Sequence, residues 1–182
     1  MHRSVANIVA FTLTAGACFA EPDDTVARAL ADANIAECAP IPSIKPHITD
    51  WRYDIADGGD RLTIWGFPCD SGAYNTIWSV ILWSERTGHR IVSLPIPLFS
   101  PTEDGDGFAM NGMVSDTWVW GASFNPESGL LRSAHPFRAS QDAATIGYWR
   151  LRLQSQSFSL VRYEADMVMD SVLELLPVVA FE

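Results

Sequence analysis

Positive charge is scarce in this sequence. Lys45 is the only lysine, and 12 Lys and Arg stand against 22 Asp and Glu, a formal net charge of −10 at pH 7. Such a surface repels phosphate backbones and anionic headgroups, which excludes nucleic acid and anionic lipid as natural partners. With one lysine there is no Ser-x-x-Lys, and no Gly-x-Ser-x-Gly elbow occurs, so no serine stands in a recognisable nucleophile motif. Histidine is equally thin. Past the first residues there are His47, His89 and His135, none of them three to five residues from another His or a Cys, so zinc spacing is lacking. These three are expected to be ordinary surface side chains.

Long apolar runs are also missing, with one exception at the start. Val172 to Phe181 is short and holds Glu174 and Pro177, so no integral membrane segment is expected beyond the first residues. The exception, Val5 to Ala17, follows Arg3 and leads to Cys18-Phe19-Ala20 before the polar Glu21-Pro22. A basic start, an apolar run and small residues before a polar stretch make residues 1–20 a secretory signal peptide cut after Ala20. At about 13 residues the run is too short to cross the roughly 30 Å bilayer core as an anchor. A lipoprotein is the rival reading, since Ala15-Gly16-Ala17-Cys18 resembles part of a lipobox in which Cys18 would be acylated, although the usual Leu three residues before the Cys is absent. The mature chain is thus expected to be periplasmic or secreted.

Cleavage leaves a chain the size of one ordinary domain, with Cys38 and Cys69 as its only thiols. A pair in an oxidising compartment usually closes, so a Cys38–Cys69 disulfide is expected, with two separate buried thiols as the alternative. Closing a loop of about 30 residues contributes roughly 3–4 kcal/mol in the chain-entropy account.

What is abundant is strand-forming sequence. Residues 21–46 read as a short lead-in: Asp23 or Asp24 caps a brief, peripheral helix with Val26, Leu30 and Ala33 near one face, and Pro40, Pro42 and Pro46 then forbid regular structure. Residues 47–182 read as a single antiparallel β domain. Four hairpins are predicted from apolar runs flanking turn chemistry: Trp51–Ala56 with Arg61–Phe67, Thr76–Trp83 with Arg90–Leu94, Thr117–Phe124 with Leu130–Pro136, and Thr145–Leu153 with Phe158–Tyr163. Gly88 and Gly129 stand where those turns need a left-handed residue. The fold class that follows is all-β, an antiparallel β-sandwich or partly closed barrel built from hairpins, with one short N-terminal helix. Most of the seven tryptophans are expected to be buried between sheets.

Cys69-Asp70-Ser71-Gly72-Ala73-Tyr74-Asn75 before an apolar strand resembles the Cys-x-x-Gly-Ala-Tyr-Asn signature of a bacterial domain-of-unknown-function family, number 1176. Phe124-Asn125-Pro126-Glu127-Ser128-Gly129-Leu130-Leu131-Arg132-Ser133 resembles that family's Phe-Asp-Pro-x-Thr-Gly-x-Leu-x-Ser hairpin, and Gly147-Tyr148-Trp149 and Phe158-Ser159-Leu160 fall where it has its Trp and Phe-x-Leu strands. The likeness spans roughly Trp65 to Asp166. It departs at Gln141-Asp142-Ala143-Ala144, which stands for the family's Gly-Asp-Cys-Gly, and the family's C-terminal Cys is missing, so its second disulfide has no counterpart. The resemblance implies an exported, mostly β protein of Gram-negative bacteria, of a family without a known activity.

Candidate sites are few. Glu103, Asp104 and Asp106, spaced by glycines, put three carboxylates in one loop of the kind that presents oxygens to Ca²⁺, but they lack the further ligands and closing Glu of an EF-hand and read better as a solvated acidic turn. No other metal site and no cofactor is expected. Tyr74 and Asn75 are the candidate rim of a recognition groove, against a structural turn in which Asn75 satisfies backbone amides. Carboxylate pairs for glycoside hydrolysis leave no spacing to read. With strands and Trp plentiful and catalytic constellations wanting, the expectation is an exported binding or interaction module without catalytic activity, engaging an envelope protein such as an enzyme to be inhibited. An envelope glycan hydrolase and a lipid-anchored structural protein are the alternatives.

Overall fold

The computed structural model describes residues 21–34, 49–57, 60–71, 75–103, 108–136, 144–167 and 174–181. The expected signal segment with Cys18, the proline-rich lead-in, Cys38, His47, Tyr74, Asp104 and Asp106 lie outside the described residues. In chain order the elements are α1 Asp24–Asn34, β1 Trp51–Asp57, β2 Asp60–Ser71, β3 Thr76–Ser84, β4 Gly88–Ile91, β5 Leu94–Pro101, β6 Phe108–Asp116, β7 Trp118–Trp120, β8 Ser123–Asn125, β9 Leu130–Pro136, β10 Ala144–Arg152, β11 Ser157–Asp166 and β12 Leu176–Ala180.

Two five-stranded sheets form an antiparallel sandwich, and the described strands do not close into a barrel. The first runs β1-β2-β3-β4, with β7 pairing the start of β3; the second runs β12-β11-β10-β9-β8; β5 and β6 make a separate two-stranded ribbon. Between the sheets lies a core of Leu62, Ile64, Trp78, Val80 and Leu82 against Leu131, Trp149, Leu151, Phe158 and Leu160. Gly66 leaves room for the ring of Trp51, since a Cβ there would fall 2.1 Å from Trp51 Cε2.

The helix is not peripheral. Asp23 caps it, its Oδ1 accepting the Thr25 and Val26 amides at 2.8 and 3.4 Å; these bonds hold the Asp23 carboxyl below its ordinary pKa. The face it buries is Ala27 and Ala31, both 0 % exposed, with Leu30, rather than the expected stripe: Val26 is 43 % exposed and Ala33 lies at the surface. Two alanines let the helix backbone approach the outer face of the first sheet, where it covers Trp65, Phe67, Cys69, Ile81 and Trp83. Trp65 Nε1 donates to Asp24 Oδ1 at 2.8 Å, and Asn34 Nδ2 closes the other end on Ser79 Oγ and the Thr117 carbonyl at 3.0 and 2.9 Å. An isolated helix of this length is marginal in water. Burying a large apolar side chain contributes about 1.5–3 kcal/mol, so helix and sheet face stabilise one another.

This cover explains why β3 reads as a continuous apolar run. Trp78, Val80 and Leu82 face the second sheet while Ile81 and Trp83 face α1, so both sides of the strand are buried. It also corrects the tryptophan expectation. Trp51, Trp78 and Trp149 belong to the core between the sheets, Trp65 and Trp83 lie beneath the helix, and Trp118 and Trp120 are half-buried.

Three of the four expected hairpins form as β1–β2, β3–β4 and β10–β11. In the third, only β8 and β9 pair as expected, around Gly129 at φ +64°. The predicted strand Thr117–Phe124 is split at Gly121, and its first half, β7, joins the first sheet instead. Gly121 has φ +51°, its amide reaches the Thr76 carbonyl at 2.8 Å, and a Cβ on it would sit 2.7 Å from the Ala134 carbonyl oxygen. Only glycine turns this corner, where the chain leaves one sheet for the other. The predicted strand Arg90–Leu94 ends at Ile91, and Leu94 opens the unforeseen β5.

Candidate functional site

The β5–β6 ribbon carries most of the exposed large apolar side chains among the described residues. Leu98, Phe108, Met110, Met113 and Val114 are each 40–46 % exposed, whereas Ile96 and Phe99 turn inward, the Phe99 ring lying tilted against Tyr163 at 6.0 Å. Nothing charged occurs in Leu94–Pro101 or in Phe108–Ser115.

The two edges of the ribbon differ. Pro95 and Pro97 pair with Ser115 and Met113 in the β5–β6 register. In an antiparallel strand the N–H and C=O of one residue point to the same side and alternate along the chain. The ladder is therefore carried by Leu94, Ile96 and Leu98, and the prolines face outward, leaving the outer edge of β5 short of donors. The Pro95 carbonyl confirms the phase, for it accepts the Trp149 indole N–H at 2.9 Å. On β6 the same alternation turns the backbone groups of Met113 and Ser115 away from β5. Among the described residues β6 pairs only with β5, so this edge presents both donors and acceptors.

At the base of the ribbon a pocket of about 140 Å³ opens between β7, β9, β10 and β11. Trp120 and His135 form one wall, stacked at 4.5 Å and 7°, and Trp118 meets Trp120 edge-on at 5.7 Å. Trp149 and Tyr163, crossed at 77°, lie at its back. Burial lowers the His135 pKa and raises that of Tyr163, whose hydroxyl also bonds Thr145. Asp116 completes the lining, its Oδ1 taking the Thr117 and Trp118 amides at 2.7 and 3.4 Å.

A second pocket, of about 260 Å³, lies beside Glu21 and Pro22 at the expected start of the mature chain. Its charged groups are engaged with one another: Glu21 pairs with Arg61 at 3.3 Å, and Asp54 holds Arg52 at 3.3 Å and the Thr63 hydroxyl at 2.7 Å.

The residues singled out in the sequence are not gathered at any of these places. Asn75 sits at the Gly121 corner, its Oδ1 accepting the Thr76 amide at 3.0 Å and its Nδ2 donating to the Ala134 carbonyl at 3.3 Å. That ties β3 to β9 and leaves its amide committed to backbone. Tyr74 lies outside the described residues. Of the acidic loop, Glu103 is exposed, and among the described residues no group of three or more His, Cys, Asp or Glu is placed to hold a metal. Cys69 is buried at 1 % exposure beneath α1, and Cys38, its expected partner, lies outside the described residues. His89 is no ordinary surface side chain: its Nε2 accepts the Asp23 amide at 3.1 Å and its ring stacks on Trp65 at 5.6 Å. Among the described residues no helix is long and apolar enough to cross a membrane.

Sequence reasoning missed the ribbon and the pocket. The signal for the ribbon was available as two uncharged runs either side of the acidic loop. The pocket had none, because its residues come from six strands. No family model, curated protein or solved structure matches the chain.

Proposed function

We propose that the chain is an exported, non-catalytic binding module of the cell envelope that holds a protein partner by strand addition to β6. The observation that carries this reading is the β5–β6 ribbon, which combines an edge that no other described strand pairs with five exposed apolar side chains. Strand addition draws affinity from main-chain hydrogen bonds and specificity from the side chains alongside. Exposed apolar surface of this kind on a soluble domain marks an interaction site. The run Glu103-Asp104-Gly105-Asp106 between the two strands concentrates negative charge in a chain whose net charge is −10, which favours a partner with basic residues beside its strand and disfavours an anionic bilayer.

Kinship with the domain-of-unknown-function family 1176, the signal at residues 1–20 and a Cys38–Cys69 disulfide belong to the same proposal, since each fits an oxidising compartment. Mass measurement of the secreted protein is expected to give a chain beginning at Glu21 and lighter by two hydrogens; an acyl mass at Cys18 would replace the soluble module with an anchored one.

The test of the binding reading uses Met113→Pro, which deletes an outward N–H of β6 while leaving the ladder with β5 intact. Immobilised wild-type protein is expected to retain a discrete partner from envelope extract at moderate salt, and Met113→Pro to lose it. Retention of the same species by both proteins would remove the strand-addition reading.

A further inference from the structure

The pocket at the base of the ribbon has a chemistry of its own. Several of the donors that face it are spent inside the protein. Trp149 gives its indole N–H to the Pro95 carbonyl at 2.9 Å, Ser133 gives its hydroxyl to the Trp120 carbonyl at 2.7 Å, and Thr145 and Tyr163 bond one another. The lining offers a ligand the Asp116 carboxylate, hydroxyl lone pairs, and the rings of Trp118 and Trp120. An anion is repelled by the Asp116 carboxylate. A cation rich in N–H needs acceptors and aromatic faces.

We propose that this pocket binds a primary alkylammonium group, with Asp116 as its counter-charge and Trp118 and Trp120 as its aromatic walls. At about 140 Å³ the space suits a short alkyl chain with a charged end and is well below the roughly 300–1,000 Å³ of drug-sized sites. The net charge of −10 raises the local concentration of cations. Burial disfavours the protonated form of His135 in the wall. The pocket does not depend on the binding reading above, since its lining is complete without a partner on β6.

The same group arrives in two forms, a free amine or the side chain of a lysine in a peptide, and the experiment separates them. Mature protein is titrated with n-butylammonium chloride and with n-butanol, followed by calorimetry and tryptophan fluorescence. Saturable binding is expected for the ammonium, with the isosteric alcohol about tenfold weaker or worse. Equal binding of the two, or none of the ammonium, overturns the proposal. Asp116→Asn keeps the Oδ1 acceptor for Thr117 and Trp118 and removes only the charge; it is expected to weaken the ammonium about tenfold, and unchanged affinity in a folded variant overturns the assignment of Asp116. Should that variant fail to fold, the ammonium-to-alcohol comparison on the wild type decides alone. Tighter binding of putrescine than of Nα-acetyl-lysine amide assigns the site to free amines, and the reverse order to peptide lysine.

Discussion

Gln156 and Ser84, 72 residues apart in the chain, meet between two hairpin turns: the Ser84 hydroxyl donates to Gln156 Oε1 at 2.7 Å. Gln156 is 1 % exposed and is held at φ +50°, a conformation that L-residues rarely adopt. Thr87 joins the cluster, its hydroxyl 2.8 Å from Ser84 Oγ, and Arg86 reaches over to the Gln154 carbonyl at 2.9 Å. The β3–β4 turn of one sheet is thereby pinned to the β10–β11 turn of the other.

Truncating Gln156 to Ala removes the buried acceptor and keeps the unfavourable φ. The expected loss is about 1–3 kcal/mol, read from urea unfolding midpoints. Gln156→Gly loses the same hydrogen bonds but is free of the left-handed penalty of roughly 1–2 kcal/mol. Gly is therefore expected to be the milder substitution here, against its usual rank. Ala being equal to or milder than Gly would show that the backbone at 156 carries no strain.

Two glycines at positive φ separate conformational cost from steric cost. Gly88 at +67° has no atom within 4 Å of a built Cβ, whereas at Gly121 the Ala134 carbonyl oxygen would stand at 2.7 Å. Gly88→Ala is expected to cost only the left-handed penalty of about 1–2 kcal/mol. Gly121→Ala adds displacement of the backbone that joins the two sheets and is expected to exceed it clearly in thermal unfolding. Comparable melting shifts for the two would contradict the corner.

How far the fold could be read from the chain follows from where its signals are local. The β10–β11 hairpin alternates because one face of each strand is wet, and the turns at Gly88 and Gly129 declare themselves by residue type. The cap at Asp23 was legible for the same reason. The split at Gly121 was not: Thr117–Phe124 is one apolar run, and the reason it breaks is the Ala134 carbonyl and Asn75, distant in sequence. The helix face was misread because Ala27 and Ala31 are chosen for close approach, whereas Val26 carries more apolar surface and points to water. β5 was missed because Pro95 and Pro97 argue against a strand until their outward phase is known. The pocket needs Asp116, Trp120 and His135 brought together by three sheets, which no spacing announces.

His135 makes stability depend on pH in a definite direction. Burial lowers its pKa below the ordinary 6.5, so around pH 6 the unfolded chain binds more protons at this site than the folded one. Stability is then complete above about 6.5 and is lost as pH falls through the unfolded value toward the depressed folded one. Unfolding midpoints measured from pH 7.5 down to 5 are expected to decline. In His135→Gln the slope over that window is expected to shrink. An unchanged slope would place the proton uptake elsewhere.

The phase of the ribbon gives the sharpest contrast, because adjacent residues of β6 have opposite backbone roles. Met113 faces Pro97, in a position whose N–H points away from β5, while Val114 faces Ile96 and donates into the ladder. Proline at 113 removes no bond to another described strand, and φ near −65° lies within the strand range, so Met113→Pro is expected to unfold within about 1 kcal/mol of wild type. Val114→Pro deletes a ladder hydrogen bond and sets the ring against β5, and is expected to cost about 1–3 kcal/mol. Both side chains are exposed to a similar degree, 42 and 40 %, so lost burial does not separate the pair. Reversal of the order in urea denaturation would mean that the outward edge of β6 begins one residue away, and the strand-addition surface would have to be redrawn around Val114.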